Sequence, residues 1–314
     1  MEIWNHWLLI AFIAPFLWAL VSLLDVYFVE EAYEDAFDGA LISGVFQLAP
    51  WLLVFFGVVS FVYPGHAAAV VAWFGGTLFL FSFFFYFKAL FATNDVAITQ
   101  VIWNLTILLV PFFSWLILRE RLDLIHYVAV GIAFAGAMLL SLDKTLSTKE
   151  GFSRTVLMML CAVIMLSLSM VAEGKAYRLT GDDFWSVFLL FSTGAASAAG
   201  LLFFLDTKKA IDRLRHIGKL GSQYLPIFIL AESLSVIGTL TSQRAIDLSP
   251  SVSFVAVIES LVPVFVMLVS LLLVGIFYWT RKKTMQMLYQ DQLSGLGIKV
   301  GASIIIGWSI YMIS

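Results

Sequence analysis

The chain is a series of long apolar runs separated by short polar breaks. A helical bilayer crossing takes roughly 20 mostly apolar residues. Ten such runs occur, at 7–29, 39–62, 67–91, 96–118, 124–142, 154–177, 184–205, 223–246, 250–279 and 294–313. None carries the strand-length alternation of a membrane β-barrel, so that class is excluded. The breaks have loop chemistry: EEAYEDAFD, YPGH, ATND, RERLD, DKTLSTKEG, TGDD and DLSP. The pattern predicts an all-α polytopic membrane protein with ten transmembrane helices. The longest connection, 206–222, leaves two readings open. Ala210, Ile211, Leu214 and Ile217 would share a face of a basic amphipathic helix on the membrane surface, or the stretch is a solvated loop.

Composition agrees with that picture. The chain is 61% hydrophobic and 12% charged, against about 45–50% and about 25% for soluble domains. The expected location is an integral, multi-pass position in a bacterial inner membrane. Cys161 is the only cysteine, which excludes an intrachain disulfide. The first run has no basic stretch before it and no small-residue cleavage site after it, so it reads as a retained helix. With ten crossings, 5 of the 18 Lys and Arg fall on the side of the termini and 13 on the other. By the positive-inside rule that count favours termini outside.

The chain also resembles itself. FKALFATNDVAI (87–98) matches QRAIDLSPSVSF (243–254), and LLVPFFSWLIL (108–118) echoes SLVPVFVMLVS (260–270). Five runs precede the midpoint and five follow, so the second copy would be inverted relative to the first. Two inverted five-helix repeats, at 1–146 and 147–314, are a transporter architecture with the site at the repeat interface.

These residues carry a family resemblance that covers nearly the whole chain. FLWALVSLLD (16–25), FYFKALFATNDVAI (85–98), WLILRERLDLIHYVAVGIAFAGAMLL (115–140) and TSQRAIDLSPSVSFVAVIESLVPVFVMLVSLLLVG (241–275) resemble the drug/metabolite transporter superfamily of the EamA type. The resemblance implies ten helices in two repeats, secondary transport of metabolites such as amino acids or nucleobases, and termini in the cytoplasm. The family's acid after the fourth helix of a repeat is matched by Glu120, and its second-half counterpart falls near Ile276.

Ionisable groups at membrane depth are costly and persist where they face a cavity or a partner. Glu232 and Glu259 lie well inside predicted helices. At 1.5 Å per residue they stand about 20 Å and about 14 Å from one membrane face, which places both near the midplane on sequential antiparallel helices, a placement that allows them to be close. Pro263 cannot donate to the carbonyl of Glu259, and Pro111 frees that of Ile107. Beside Pro111 lie the polar residues Gln100, Asn104 and Thr106. Trp18, Trp73, Tyr86 and Trp103 fall in the helices that would line a cavity of the first half. Acids with aromatic faces suit an organic cation. Glu259, Glu232, Asn104, Gln100, Trp103, Trp18, Trp73 and Tyr86 are therefore the candidate substrate- or proton-binding residues. Asp25 and Glu173 occupy similar places late in helices 1 and 6, near the interface, where solvated carboxylates are ordinary.

The leading reading is a secondary transporter of a small organic metabolite, with a proton or a cationic substrate on Glu259. An enzyme is not expected. His6, His66, His126 and His216 lie near helix ends or in loops, and no metal-binding, nucleophile-elbow or nucleotide-binding motif occurs. Neither a metal, a cofactor nor a nucleic-acid partner is expected. A non-transporting scaffold is the alternative. The partners are then the bilayer and a small-molecule substrate. Small-residue faces at Gly131 and Ala135, Ala196 and Gly200, and Gly297 and Gly301 suit close helix packing within the bundle or in a homodimer.

Overall fold

The computed structural model describes residues 6–93, 99, 102–141, 149–181, 183–205, 210–279 and 296–313. The described residues hold helices and no strand. In chain order they are α1 (Trp7–Ala11), α2 (Ile13–Glu31), α3 (Ala36–Phe46), α4 (Trp51–Phe55), α5 (His66–Thr93), α6 (Thr106–Phe113), a π-helical turn (Ser114–Leu118), α7 (Leu124–Ser141), α8 (Lys149–Thr180), α9 (Phe184–Leu205), α10 (Ala210–Leu248), α11 (Val252–Glu259), α12 (Val262–Trp279) and α13 (Leu296–Ile313). Among the described residues, 7 helical stretches are long and apolar enough to cross a bilayer. Three shorter apolar helices cover Thr106–Leu118, Leu124–Leu139 and Val300–Ile313. The chain is a multi-pass helical bundle of membrane type.

Several predicted helices are broken. The second run divides into α3 and α4 at residues 47–50, and α4 ends at Phe55, so the run does not stay helical to 62. Pro50 falls in that break, where its missing N–H costs no ladder bond. The ninth run divides at Ser260 and Leu261, and Pro263 sits in the first turn of α12. There proline is tolerated, so it begins a helix and does not kink one. The 206–222 connection is helical from Ala210 onward and continuous with the eighth run through Leu248. Ile217 packs against the core. The RKKTMQMLYQDQ stretch lies outside the described residues.

Beside a smaller cluster of Ala19, Leu23, Val262 and Val266, two large apolar clusters fill the bundle. One gathers Phe28, Phe87, Phe191, Leu202 and Phe228, and the other Ile10, Ile107, Val187, Ile246, Val257 and Ile306. Large side chains such as Phe55, Phe204, Leu272 and Trp308 remain exposed on the outside. Lipid is as apolar as those side chains, so they incur no desolvation cost there. Packing is closest along α5, which lies against α8 and α9. A Cβ on Gly76 would stand 1.8 Å from the Phe191 carbonyl oxygen, and one on Gly194 would stand 1.9 Å from that of Trp73. Only glycine permits this backbone approach. Thr77 reinforces the seam, its hydroxyl 3.2 Å from the Gly194 carbonyl oxygen.

Two faces result. One carries the turn from the π segment to α7, the α8–α9 turn at Gly181 and the α10–α11 turn; we call it the Glu120 face. The other carries the α2–α3 turn. There His216 of α10 stands between Glu34, at 3.2 Å, and Asp38, at 3.4 Å. We call it the Glu34 face.

Candidate functional site

Trp18, Val21, Ser22 and Asp25 recur at the helical spacing i, i+3, i+4, i+7, and so share one face of α2. That face lines an internal cavity of about 50 Å³. Phe79, Phe83 and Tyr86 of α5 form the facing wall, with Trp103, Leu166 and Val262 completing it. The aromatic rings meet edge to face: Tyr86 and Trp103 at 5.5 Å and 72°, Phe83 and Trp103 at 6.4 Å and 80°.

The polar groups in this wall are poorly matched by protein. Asp25 is only 7% exposed. Its carboxyl group receives no hydrogen bond from the described residues, and Glu232 lies within electrostatic reach. The Tyr86 hydroxyl and the Trp18 indole N–H are buried without a partner. Buried polar groups normally find one; here Asp25 and the Tyr86 hydroxyl stand at the cavity without a partner among the described residues, while the Trp18 indole nitrogen packs against Gly238 of α10. The sequence expectation had placed Asp25 in solvent near the interface. Burial by the aromatic wall removes it from solvent, and the shared helix face with Trp18 was the signal for it.

The two predicted glutamates are not neighbours. Ser43 Oγ of α3 donates to Glu232 Oε1 at 2.7 Å, and Glu232 Oε2 is buried without a partner. Glu259 instead accepts from Ser242 Oγ of α10 at 2.5 Å. Glu232 and Ser242 stand ten residues apart on α10, which is about 15 Å of rise. Glu259 is within electrostatic reach of Glu173, whose Oε1 lies 3.1 Å from Ser169 Oγ. The four acids therefore form two pairs. Asp25 with Glu232 lies toward the Glu34 face, and Glu173 with Glu259 toward the Glu120 face. The sequence expectation used depth along each helix and lacked the helix rotation that decides which neighbour an acid meets.

Of the remaining candidates, Trp18, Tyr86 and Trp103 come together at the cavity. Trp73 does not; its indole N–H donates to Ser197 Oγ of α9 at 3.2 Å, outside the cavity. Asn104 is buried and donates from Nδ2 to the Ala137 carbonyl oxygen of α7 at 3.1 Å, which ties two helices together. Gln100 lies outside the described residues.

A second, open cavity of about 550 Å³ lies at the Glu120 face. Glu120 and Arg178 form an ion pair there. Ser251 Oγ donates to the other Glu120 oxygen at 2.7 Å. Arg244 pairs with Asp247 at 2.5 Å and stacks over the Phe184 ring at 5.2 Å. Tyr177, which also lines this vestibule, donates from its hydroxyl to Gln243 Oε1 at 2.6 Å. Among the described residues, no three His, Cys, Asp or Glu side chains gather in a way that could hold a metal ion.

No family model and no curated protein matches the sequence. Among solved structures, one chain described only as "Crystal structure of protein" is similar over 98% of this chain and 96% of its own length. Its TM-score is 0.63 at 18% sequence identity, a likeness of fold alone.

Proposed function

We propose that this chain is a secondary transporter of a small organic metabolite, built from two inverted five-helix repeats and working by alternating access. The observation that carries the reading is the Asp25 cavity. An acid with no donor among the described residues, the unpartnered Tyr86 hydroxyl and several aromatic faces meet there, inside a membrane bundle. Intramembrane ionisable groups with no structural partner are the mark of a substrate or ion pathway. Asp25 would hold a cationic or hydrogen-bonding group of the substrate, with Glu232 sharing a proton or the cation. The aromatic walls would hold its apolar part. The cavity is the size of a few waters, so an organic ligand needs the walls to part. That suits a site seen between its two open states.

Helix packing supports the repeat. The α5–α8 contact has its counterpart in α10–α2, α6–α8 in α12–α2, and α5–α9 in α10–α3. The α3–α9 and α7–α13 contacts pair each element with its own counterpart, and the α6–α11 contact joins the two fourth helices. Both fourth helices of the repeats are interrupted, at Asn104–Leu105 and at Ser260–Leu261, the same offset of 156 as between FKALFATNDVAI and QRAIDLSPSVSF. Discontinuous helices at a repeat interface are where transporters of this architecture bind. The EamA-type family and a bacterial inner membrane remain the reading of the sequence resemblance.

The test is a ligand-induced thermal shift on purified protein, followed by uptake into proteoliposomes. The panel holds organic cations, amino acids and nucleobases, with wild type and Asp25→Asn side by side. A ligand that binds only the folded form raises its melting temperature. Stabilisation by one class, lost in Asp25→Asn and matched by uptake of the same class, is the expected result. Equal stabilisation of both proteins would remove Asp25 from the site. Binding with no uptake would replace the transporter by a ligand-binding scaffold.

A further inference from the structure

We infer that Glu120 is a latch that closes the Glu120 face, through Arg178 and Ser251, above the helix that ends in Glu259. The inference rests on the alternating-access reading.

The backbone before Glu120 is unusual in two ways. The chain leaves α6 through a π-helical turn, Ser114–Leu118. Arg119 then takes φ 57°, a left-handed conformation that a non-glycine side chain rarely adopts. It is the one such residue outside glycine among those described. Both features recur at functional sites, because the chain accepts local strain to aim a side chain. Here the side chain aimed is Glu120. Its carboxylate is 8% exposed, while Arg119 and Arg121 on either side of it are exposed.

Each oxygen of that carboxylate holds a different element of the second half of the chain. One takes the Arg178 guanidinium at the end of α8. The other accepts the Ser251 hydroxyl at 2.7 Å. Ser251 is also the N-cap of α11, its Oγ accepting from the Ser253 N–H at 3.1 Å. One hydroxyl thus serves both the latch and the start of the half-helix that carries Glu259 at its far end. Below the latch, Gly174, Ile246 and Val252 floor the vestibule. Ser253, the residue after Val252 on α11, is buried, 1% exposed, with a hydroxyl that has no partner among the described residues.

The arrangement is suited to opening. Arg178 is 44% exposed, so its guanidinium returns to water when the pair parts. The charge-assisted bonds to Glu120 are lost together, and α11 is then free to shift with its cap. A permanent brace would bury both partners.

The experiment measures access from water to Ser253. In a Cys161→Ser background, Ser253→Cys is labelled with a charged, membrane-impermeant thiol reagent, and the rate is compared with and without Glu120→Ala. A second single-cysteine protein, Ser43→Cys beside Glu232, reports the Glu34 side. The expected result is a rise of about ten-fold or more in labelling at 253, since charge-assisted bonds are lost. Labelling at 43 is expected to stay level or fall. Arg178→Ala should act in the same direction, and it carries the test if Glu120→Ala does not fold. Unchanged labelling at 253, or an equal rise at both positions, overturns the latch. No transported substrate is involved, so a failure of the transport reading shows separately, as absent uptake with a normal labelling response.

Discussion

Ser242 Oγ donates to Glu259 Oε1 at 2.5 Å. That bond fixes Glu259 to the Glu120-side half of α10, about 15 Å along the helix from Glu232. One acid pair cannot then do the work of the other, and substitutions at the two should separate.

Glu259→Gln is expected to leave ligand-induced stabilisation at the Asp25 cavity within about two-fold of wild type, since the amide oxygen still accepts from Ser242. Asp25→Asn is expected to abolish that stabilisation. Thermal-shift titrations of both variants with the same ligand check this. Loss in both to the same degree would mean one continuous site.

Ser242→Ala removes the one described donor to Glu259 and leaves a half-buried carboxyl group without it. A loss of about 1–3 kcal/mol is expected, whereas Ser242→Thr keeps the hydroxyl and most of the stability. Equilibrium unfolding in mild detergent measures the difference. Equal behaviour of the two variants would make the bond irrelevant to the fold.

Tyr86→Phe deletes a hydroxyl that no group among the described residues satisfies. Stability should be unchanged or slightly higher, because an unmatched buried donor is removed. Ligand affinity should fall by about five- to ten-fold, as expected for one lost hydrogen bond. A fall in melting temperature without any change in affinity would assign the hydroxyl a structural partner.

Gly194→Ala and Gly76→Ala each drive a methyl group into backbone on the neighbouring helix, at 1.9 Å and 1.8 Å before any movement. Overpacking costs about 1–3 kcal/mol even where side chains can yield, and backbone yields less. Both variants should show a clear loss of folded yield on size-exclusion chromatography. Gly200→Ala, which meets nothing within 4 Å, is the control and should behave as wild type.

Asn104→Leu removes the interhelical hydrogen bond to the Ala137 carbonyl and is expected to cost about 1 kcal/mol, in line with such bonds in membranes. Ligand binding at the Asp25 cavity should persist. If binding is lost while stability holds, Asn104 belongs to the site and not to the α7 contact.

Much of the fold was legible in the sequence. Helix-length apolar runs fix an all-helical membrane bundle, because no other backbone form satisfies its own hydrogen bonds there apart from a closed barrel. Apolar periodicity could not place the breaks within runs. Gln47 and Pro50 in the first break, and Pro263 just after the second, are signals for an interruption, but proline is also met inside membrane helices, as at Pro226 of α10, so they could not fix its place. The candidate site was legible in part. Trp18, Tyr86 and Trp103 came together as expected, while Trp73 and Asn104 were drawn into helix contacts by Ser197 and Ala137.

Sequence alone determined that costly acids sit at depth in this chain, since residue type and distance from a helix end are enough for that. Tertiary structure decided which acids meet. Glu259 turned toward Ser242, Glu232 toward Ser43, and Asp25 moved from an expected solvated edge into an aromatic wall. The physical reason is rotation about the helix axis. One residue turns a side chain by 100° while moving it only 1.5 Å in depth, so depth is read from a sequence far more securely than direction. Which neighbour an acid faces depends on the packing of the whole bundle.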